Sequence, residues 1–554
     1  MKPYNNIITK YALPLIAVFA MSGCTKLNEG LGSTLTNTQV SNALGAAGTG
    51  LLLSAAYSDL GGPLTGQDQL FSLMENSTDE SLVPTRGGDW DDNGVWRVIH
   101  NHTWNADHGQ VLGVFNALNK INFDATNVLG FNPSKGQAAE ARFIRALALY
   151  YLLDLYGQFP FRNPGDNLLL APVVKSGSDG AAFIISELTA ILPDLPTTNG
   201  SNLANPDAAR VLLMKCYLQQ GTWANRAAPT FAAADMAQVI SIGNTIINSG
   251  KYSYTANYFD NFNATNDNSP EAIFRYVNNS GQGANNSGIT ARWNMTLHYN
   301  SYTPSNPNAG WNGFSTIGDF YASFNTTAKT TAYAASDTAF DPRLGGRNYQ
   351  GSKTISGINP GFLIGQQFNE TGAAEVDRKG APLAFVKDIA ANMIETGANL
   401  ELTGIRIVKY VPDYPQYQGN AGNDLMIFRY PDVVLMVAEA KLRTGDAAGA
   451  LTMVNALRTA RGATPMAGPL VLVDPNAPVG GSSLGGNVDG PNSLLAERGR
   501  EFYWESIRRT DLERFGVFLK PWQYKPSDDP KNLVYPIPNQ ALAANPNLKQ
   551  NPGY

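Results

Sequence analysis

The chain has 554 residues, of which 43% are hydrophobic and 15% are charged. This composition supports a sizeable core beneath a polar, weakly charged surface, in one large domain or several. The net charge is −5 and no basic block occurs, which argues against nucleic acid as a partner. There are two cysteines, and Cys216 lies in an apolar helical stretch, so we do not expect a disulfide-stapled scaffold.

The N-terminus predicts a bacterial lipoprotein signal. Two lysines and the apolar run 11–21 precede the small pair Ser22-Gly23, which leads directly to Cys24. We expect residues 1–23 to be a signal peptide, with cleavage before Cys24 and lipid on its thiol. The alternative is an ordinary signal peptide with an incidental cysteine. The apolar run is shorter than the ~20 residues that span a bilayer, so the mature chain is expected to be anchored by acyl chains.

The rest of the chain divides by composition. Residues 24–50 are rich in Gly, Thr and Asn and predict a lipidated tether. A single domain is expected from 51 to 554. Within it we predict a helical scaffold over about 51–250 and 425–520, and a loop-rich polar and aromatic region over about 255–420.

The helical stretches favour hairpins. The clearest helix is predicted over 137–156, with Gly157 as its C-cap. Two more stretches each end at a glycine and are followed by a second helix: 208–220 with 232–248, and 430–444 with 447–459. Helix, glycine turn and helix is the pattern of tetratricopeptide-like hairpins. Because the spacing is not constant, the set is divergent, and generic helical pairs remain the alternative. The predicted fold class is mainly α.

A charged helix is predicted from Glu497 to Arg514. Glu497, Glu501 and Glu505 follow one another at i, i+4 spacing, and each has arginine neighbours. A glycosidase needs a carboxylic acid that holds its proton. Neighbouring arginines favour the ionised form, so a structural ion-pair network is the preferred interpretation.

Several separated segments resemble one known family, the SusD/RagB outer-membrane lipoproteins. In chain order they are 140–160 (with Tyr-Gly-Gln-Phe-Pro at its end), 311–313 with 341–343, 428–461, 497–516 and 535–554. Each segment alone is a weak signal, but five in order behind a lipoprotein signal are strong. The resemblance implies a SusD-like fold in which the hairpins carry long loop-rich insertions that face the ligand.

The resemblance also implies a function. Members of the family are surface lipoproteins of the outer membrane that bind oligosaccharides and deliver them to a SusC-like TonB-dependent transporter. We therefore expect a glycan-binding lipoprotein, lipid-anchored and facing outward, that is not an enzyme and needs no cofactor. A RagB-like peptide-binding lipoprotein is the first alternative, and a surface glycoside hydrolase is the second.

Glycan binding requires aromatic rings for stacking and polar groups for hydrogen bonds. The predicted ligand-binding residues are the aromatics Trp96, Tyr299 and Trp311, with Asp92, Asn93 and Arg292 as polar groups beside them. The alternative for each aromatic is that it attaches a loop to the scaffold.

Metal sites are not predicted. Residues 89–94 (DWDDNG) begin like a calcium loop, but position 12 is His100 rather than the glutamate that such a loop needs. An Asx-rich turn is the preferred interpretation. The four histidines lack a third ligand at metal-binding spacing.

Overall fold

The computed structural model describes residues 37–279, 288–301, 310–324, 341–345, 359–369, 371–413, 421–473, 492–526 and 528–554. The predicted signal peptide and the predicted lipidation site, Cys24, lie outside these ranges. Among the described residues, no helix is long and apolar enough to cross a membrane.

Helices dominate the described residues. They are α1 (Asn37–Ser58), α2 (Gly61–Thr65), α3 (Leu70–Glu75), α4 (Val95–His100), α5 (Gly109–Leu129), α6 (Lys135–Tyr156), α7 (Gly177–Ile191), α8 (Pro206–Ala224), α9 (Ala233–Ile247), α10 (Ala291–Asn294), α11 (Gly318–Ala322), α12 (Asn399–Leu402), α13 (Tyr430–Arg443), α14 (Ala447–Ala460), α15 (Leu494–Phe502), α16 (Arg508–Arg514) and α17 (Asn539–Ala544).

Strands are short and pair two by two in the described ranges. They are β1 (Thr85–Arg86), β2 (Gln158–Phe161), β3 (Val173–Ser176), β4 (Ala272–Tyr276), β5 (Gly361–Leu363), β6 (Gly365–Gln366), β7 (Ala384–Phe385), β8 (Ile394–Glu395), β9 (Arg406–Val408) and β10 (Leu425–Arg429). β1 pairs with β8 in parallel, and the pairs β2–β3, β4–β10, β5–β9 and β6–β7 are antiparallel.

Consecutive long helices pack against one another. α5 packs on α6, α7 on α8, α8 on α9, and α13 on α14, while α9 and α13 join the two parts of the scaffold. One large hydrophobic core runs through these contacts. The prediction of a mainly α fold built from helical hairpins is confirmed.

Local sequence explains where these helices begin and end. Ser134 and Gln137 form a reciprocal capping box at the start of α6, and Gly157 ends that helix at φ 70°. Asn205 caps α8 and accepts from Asp207 N and Ala208 N. The predicted glycine turn at Gly221 is wrong, because that residue lies inside α8. A Cβ there would come within 1.6 Å of the Thr230 carbonyl oxygen, so the glycine permits a close approach of the following loop.

The predicted tether is too long. α1 begins at Asn37, so residues 37–50 of the tether lie in a helix that is interrupted at Gly45, where φ is 56°. The Thr49 hydroxyl donates to the Phe131 carbonyl oxygen at 2.6 Å, and Thr49 is buried. This tertiary contact at the α5–α6 turn outweighs the loop-like composition.

The predicted helix 497–514 is two helices, α15 and α16. Between them Trp504 and Ser506 have φ of 58° and 60°, which breaks the helix. The break is held by the segment after α3, because the Trp504 indole donates to the Glu80 carbonyl oxygen at 3.1 Å and Ser506 N donates to Glu75 Oε1 at 2.5 Å. These partners are more than 400 residues away in sequence, so no local signal predicts the break.

The predicted ion-pair network is confirmed. Glu501 contacts Arg461 at 2.7 Å, Arg429 at 3.0 Å and Arg343 at 3.1 Å, and all four side chains are buried. Burial alone would raise the pKa of Glu501, but the arginines outweigh it and lower that pKa to about 2. Glu501 is therefore ionised at physiological pH and joins α15 to the last residue of β10 and to the C-terminal end of α14.

Candidate aromatic ligand site

One half-open patch brings together loops that are far apart in sequence. We call it the aromatic surface and define it by Asp89, Trp90, Tyr299, Trp311 and Arg378. The Trp90 indole N–H donates to the Trp311 carbonyl oxygen at 2.8 Å, and the Tyr299 hydroxyl donates to Asp89 Oδ2. The Arg378 guanidinium lies 4.0 Å from the Tyr299 ring centroid. Three loops therefore meet in a contact-linked surface.

The predicted aromatic residues differ in how far their side chains are exposed to solvent. Trp311 is 38% exposed and Tyr299 is half-buried, so both can meet a ligand. Trp96 is only 4% exposed. Its ring packs against Trp90 and Phe314, with centroids 5.4 and 5.3 Å away. The structure places Trp96 behind the aromatic surface, where it supports Trp90.

The predicted polar residues also differ in whether they lie at the aromatic surface. Asp92 and Asn93 are exposed beside Trp90, and Asp92 Oδ2 accepts from the Trp96 indole at 2.7 Å. Arg292 is buried, donates to the Leu64 carbonyl oxygen at 2.8 Å and lies 4.0 Å from the Phe71 ring centroid. The structure does not bring Arg292 to the aromatic surface, because these contacts hold it against α2 and α3.

The loop that carries Trp90 has an unusual backbone. Trp90, Asp92 and Asn93 have φ of 60°, 39° and 56°, and Gly94 follows at 77°. Asparagine and glycine accept this left-handed region readily, but a bulky tryptophan does so at a cost of order 1 kcal/mol or more. Strain of this kind persists where neighbours fix the conformation, and here the Trp90–Trp311 hydrogen bond and the Trp96 ring do so. We infer that the loop is built to hold Trp90 in place.

The partner segment is equally constrained. A Cβ on Gly313 would lie 2.3 Å from the Trp90 ring, so only glycine allows the two loops to approach this closely. Asn312 has φ of 51°, is buried, and donates from Nδ2 to the Leu400 carbonyl oxygen at 2.9 Å. Trp311 N donates to the Asn294 carbonyl oxygen at 2.6 Å. The backbone on both sides of Trp311 is thus fixed while its side chain stays partly exposed.

A hydrogen-bonded group lies next to Tyr299. Glu401 accepts from Arg378 Nε at 2.9 Å and contacts His298 Nε2 at 2.8 Å. Burial acts to raise the pKa of Glu401, but these donors outweigh it and the net shift is downward. Burial lowers the pKa of His298 to about 4, so the imidazole is neutral at physiological pH. Glu401 therefore holds the Arg378 guanidinium over the Tyr299 ring.

Two buried arginines lie beneath the aromatic surface. Arg406 donates to Asn312 Oδ1 at 2.9 Å, and Arg86 donates to the Thr403 carbonyl oxygen at 2.9 Å and to Ser315 Oγ at 3.2 Å. Burial lowers the pKa of Arg86 to about 10. Both guanidinium groups point at backbone and side-chain oxygens of the loops, so they act as supports rather than as ligand contacts.

Sequence reasoning missed several members of this site. Asp89, Arg378, Glu401, Arg86 and Arg406 all hold or form the aromatic surface. Arg406 carried one signal, since a charged residue in the apolar strand sequence GIRIV must find buried partners. Arg378 and Glu401 carried none, because their role depends on contacts with residues about 80 and 100 positions away in the chain.

Metal binding finds no support in the described ranges. No group of three or more His, Cys, Asp or Glu side chains there is placed to hold a metal ion. In the calcium-like sequence, Asp92–Gly94 forms a single 3-10 turn, and His100 lies in α4 with its Nδ1 at 3.2 Å from the Asn76 carbonyl oxygen and 3.1 Å from that of Ser81.

The fold agrees with comparison to known proteins. The model of the SusD family matches residues 247–530, which is about half of the chain. The chain belongs to the SusD family. This confirms the family predicted from the five sequence segments.

Relatives cover nearly the whole chain. The starch-binding protein SusD of Bacteroides thetaiotaomicron is 25% identical over 530 residues, which is 89% of this chain and 88% of SusD. A SusD-like protein from Bacteroides fragilis superposes with a TM-score of 0.65 at 18% identity, covering 91% of this chain and 96% of that one. Surface glycan-binding protein A from B. thetaiotaomicron, solved in complex with laminarihexaose, gives a TM-score of 0.63 at 16% identity over 91% and 99% of the two chains. At these identities the structural matches establish a shared fold.

Proposed function

We propose that this protein binds oligosaccharides at the aromatic surface, without cleaving them, as a lipoprotein of the outer membrane. The observation that carries the proposal is the fixed, partly exposed pair Trp311 and Tyr299, flanked by the acceptor Asp89 and the donor Arg378. Aromatic faces stack on the apolar faces of sugar rings, and the polar groups meet hydroxyls. Because the Trp311 backbone and the Tyr299 side chain are held before a ligand arrives, little of their conformational entropy is lost on binding.

The relatives support the ligand class. The curated relative is named as a starch-binding protein, and a structural relative was solved with laminarihexaose. Both ligands are glucans. The relatives therefore favour a glycan as the ligand class, and the binding experiment below identifies the individual glycan.

The carboxylates of the site favour binding over hydrolysis. Asp89 accepts from Tyr299, Asp92 accepts from Trp96, and Glu401 accepts from Arg378. A glycosidase pairs a nucleophile or base with an acid whose pKa is raised. Burial acts to raise the pKa of Glu401, but hydrogen bonds from Arg378 and His298 outweigh it and lower that pKa, so this carboxylate is not prepared to donate a proton.

The proposal is tested by equilibrium binding. The soluble protein from residue 25 is titrated with oligosaccharides of starch, laminarin and other common glycans, and each mixture is then analysed for shortened products. Binding without products supports the proposal. Products would indicate a hydrolase, and peptide that co-purifies with a protein that binds no glycan would indicate the RagB-like alternative.

We further propose that the protein is attached through lipid on Cys24, is displayed outward, and delivers its ligand to a SusC-like TonB-dependent transporter.

An exposed apolar edge supports a protein partner. Leu168, Leu169 and Leu170 are 63%, 93% and 65% exposed, in a loop that Arg162 fixes by donating to the Asn167 carbonyl oxygen at 2.9 Å. Exposed apolar patches of this kind mark interaction surfaces. A cavity of about 360 Å³ lies beside Leu168, between α5 and the segment 541–548.

The partner proposal has its own test. Replacement of the three leucines by serine is expected to abolish co-purification with the transporter while oligosaccharide binding persists. Val386 and Ile394, which are 45% and 38% exposed elsewhere, provide matched serine controls. Unchanged co-purification of the triple variant would contradict the assignment of this edge. Labelling with palmitate that persists in a Cys24→Ser variant would contradict the anchor.

A further inference from the structure

The charges around the aromatic surface bear on which glycans it accepts. Three aspartates, Asp89, Asp91 and Asp92, lie within four residues of one another around Trp90. Asp89 and Asp92 are exposed, and Asp91 has 48% of its side chain exposed. A ligand that stacks on Trp311 and Tyr299 would lie beside this acidic loop, because Asp89 touches Tyr299 and Trp90 touches Trp311.

The cations that touch this surface in the described residues already have partners. Arg97 pairs with Asp91 at 3.0 Å, and Arg378 pairs with Glu401 at 2.9 Å. The Arg378 guanidinium also lies against the Tyr299 ring. A carboxylate or sulfate on the ligand would therefore have to compete with Glu401 for Arg378.

The two buried arginines do not offset the acidic loop at the contact surface. Arg86 and Arg406 are 3% and 0% exposed, and their N–H groups point at oxygens of Asn312, Ser315 and Thr403. Glu395 and Glu401 are buried with them and carry the opposite charge. The exposed carboxylates of Asp89 and Asp92 are thus the anionic groups that a ligand would meet, beside the paired guanidinium of Arg378, whose side chain is 51% exposed.

We infer that the aromatic surface selects uncharged oligosaccharides and rejects those that carry uronate or sulfate groups, with Asp89 and Asp92 as the selecting residues. This inference rests on the proposed function and adds the charge class of the ligand. Hydroxyl groups can donate to the two carboxylates, whereas an anionic group meets like charge beside two arginines, Arg97 and Arg378, that are already paired. One like charge at contact distance in water opposes binding by about fivefold.

The experiment uses matched ligands. Maltohexaose and laminarihexaose are compared with the same hexasaccharides oxidised to uronates at C6, by calorimetry at low and high salt. The neutral forms are expected to bind with little dependence on salt. The uronate forms are expected to bind about fivefold or more weakly at low salt, and the gap should narrow at high salt because ions screen exposed charges.

Amino-acid substitutions test which residues cause the difference between neutral and uronate affinity. The double variant D89N/D92N keeps acceptor oxygens for Tyr299 and Trp96 and is expected to bring the uronate affinity to within about twofold of the neutral affinity. Asp124→Asn on α5 removes a surface carboxylate away from the site and should leave the gap unchanged. Two results would overturn the inference and leave the proposed function standing. One is equal or tighter binding of the uronate form by the native protein, and the other is an unchanged difference between neutral and uronate affinity in D89N/D92N. If the protein binds none of the hexasaccharides, neutral or oxidised, and no other glycan either, the proposed function fails and this inference fails with it.

Discussion

The indole N–H of Trp90 donates to the carbonyl oxygen of Trp311 across 221 residues of chain, at 2.8 Å. This bond joins the strained loop after β1 to the segment that carries the most exposed aromatic of the site. It also explains why the contact between the two loops cannot be recognised from the sequence of either one. The position of the Trp311 backbone thus depends on the Trp90 indole N–H group, which is bonded to Trp311 and is not available to the ligand.

Replacement of Trp90 by phenylalanine should weaken oligosaccharide binding. The ring volume is largely kept but the donor is lost, which leaves the Trp311 carbonyl oxygen without its partner and costs about 1 kcal/mol in unfolding free energy. We expect about threefold to tenfold weaker binding, because a less fixed Trp311 loses entropy on binding. Trp104→Phe is the matched control, since the Trp104 indole donates to the Tyr554 hydroxyl at 2.6 Å outside the site. Equal affinities of the two variants would contradict the role of Trp90.

Alanine at Gly313 should disrupt the aromatic surface. Its Cβ would lie 2.3 Å from the Trp90 ring, so the two loops must separate. We expect a loss of about 1–3 kcal/mol in unfolding free energy by denaturant titration, together with weaker binding. Gly88→Ala is the control in the same region, because a Cβ at Gly88 meets nothing within 4 Å. The close approach would be disproved if both variants behaved like the native protein.

Glutamine at Glu501 should destabilise the whole fold. The change removes the negative charge that three buried arginines share, and breaking a buried pair costs about 3–5 kcal/mol. Urea unfolding measures the effect, with the exposed pair of Asp124 and Lys120 as control through Asp124→Asn. A loss of less than 1 kcal/mol for Glu501→Gln would show that the network is dispensable.

Lowering the pH should destabilise the protein over a pH range that is set by the buried side chain of His100. Carbonyl oxygens around His100 favour its protonated form, but burial outweighs them and lowers its pKa to about 4, from about 6.5 in unfolded chains. The unfolded state therefore binds the proton first, so the contribution of His100 is complete above about pH 6.5. It is lost as the pH falls toward 4, by up to about 3 kcal/mol. His100→Gln should show a shallower fall over this range, and an unchanged slope would contradict the neutral buried imidazole.

The sequence predicts the scaffold well because its signals are local. The capping box at Ser134, the left-handed Gly157 and the apolar faces of α6, α8 and α13 all act within a few residues. The break at Trp504 and the helical start at Asn37 escape prediction, because contacts with Glu80 and Phe131 decide them.

The candidate site was predictable only in part. Trp311 and Tyr299 could be chosen as aromatics in polar loops, but the same signal also selected the buried Trp96. Arg378 and Glu401 gave no signal, since a loop arginine and a loop glutamate are most often solvated. Their role comes from stacking on Tyr299 and contact with His298, which only the folded chain brings together.

The central claim is that Trp311 on the aromatic surface binds oligosaccharide. The most direct measurement is calorimetric titration of the Trp311→Ala variant with the oligosaccharide that the native protein binds most tightly. Phe123→Ala is the control, because Phe123 is an aromatic of similar exposure, 43%, on α5. We expect Trp311→Ala to lose affinity by about tenfold or more, since it removes a stacking face, while Phe123→Ala binds like the native protein. Native affinity in Trp311→Ala would contradict the account.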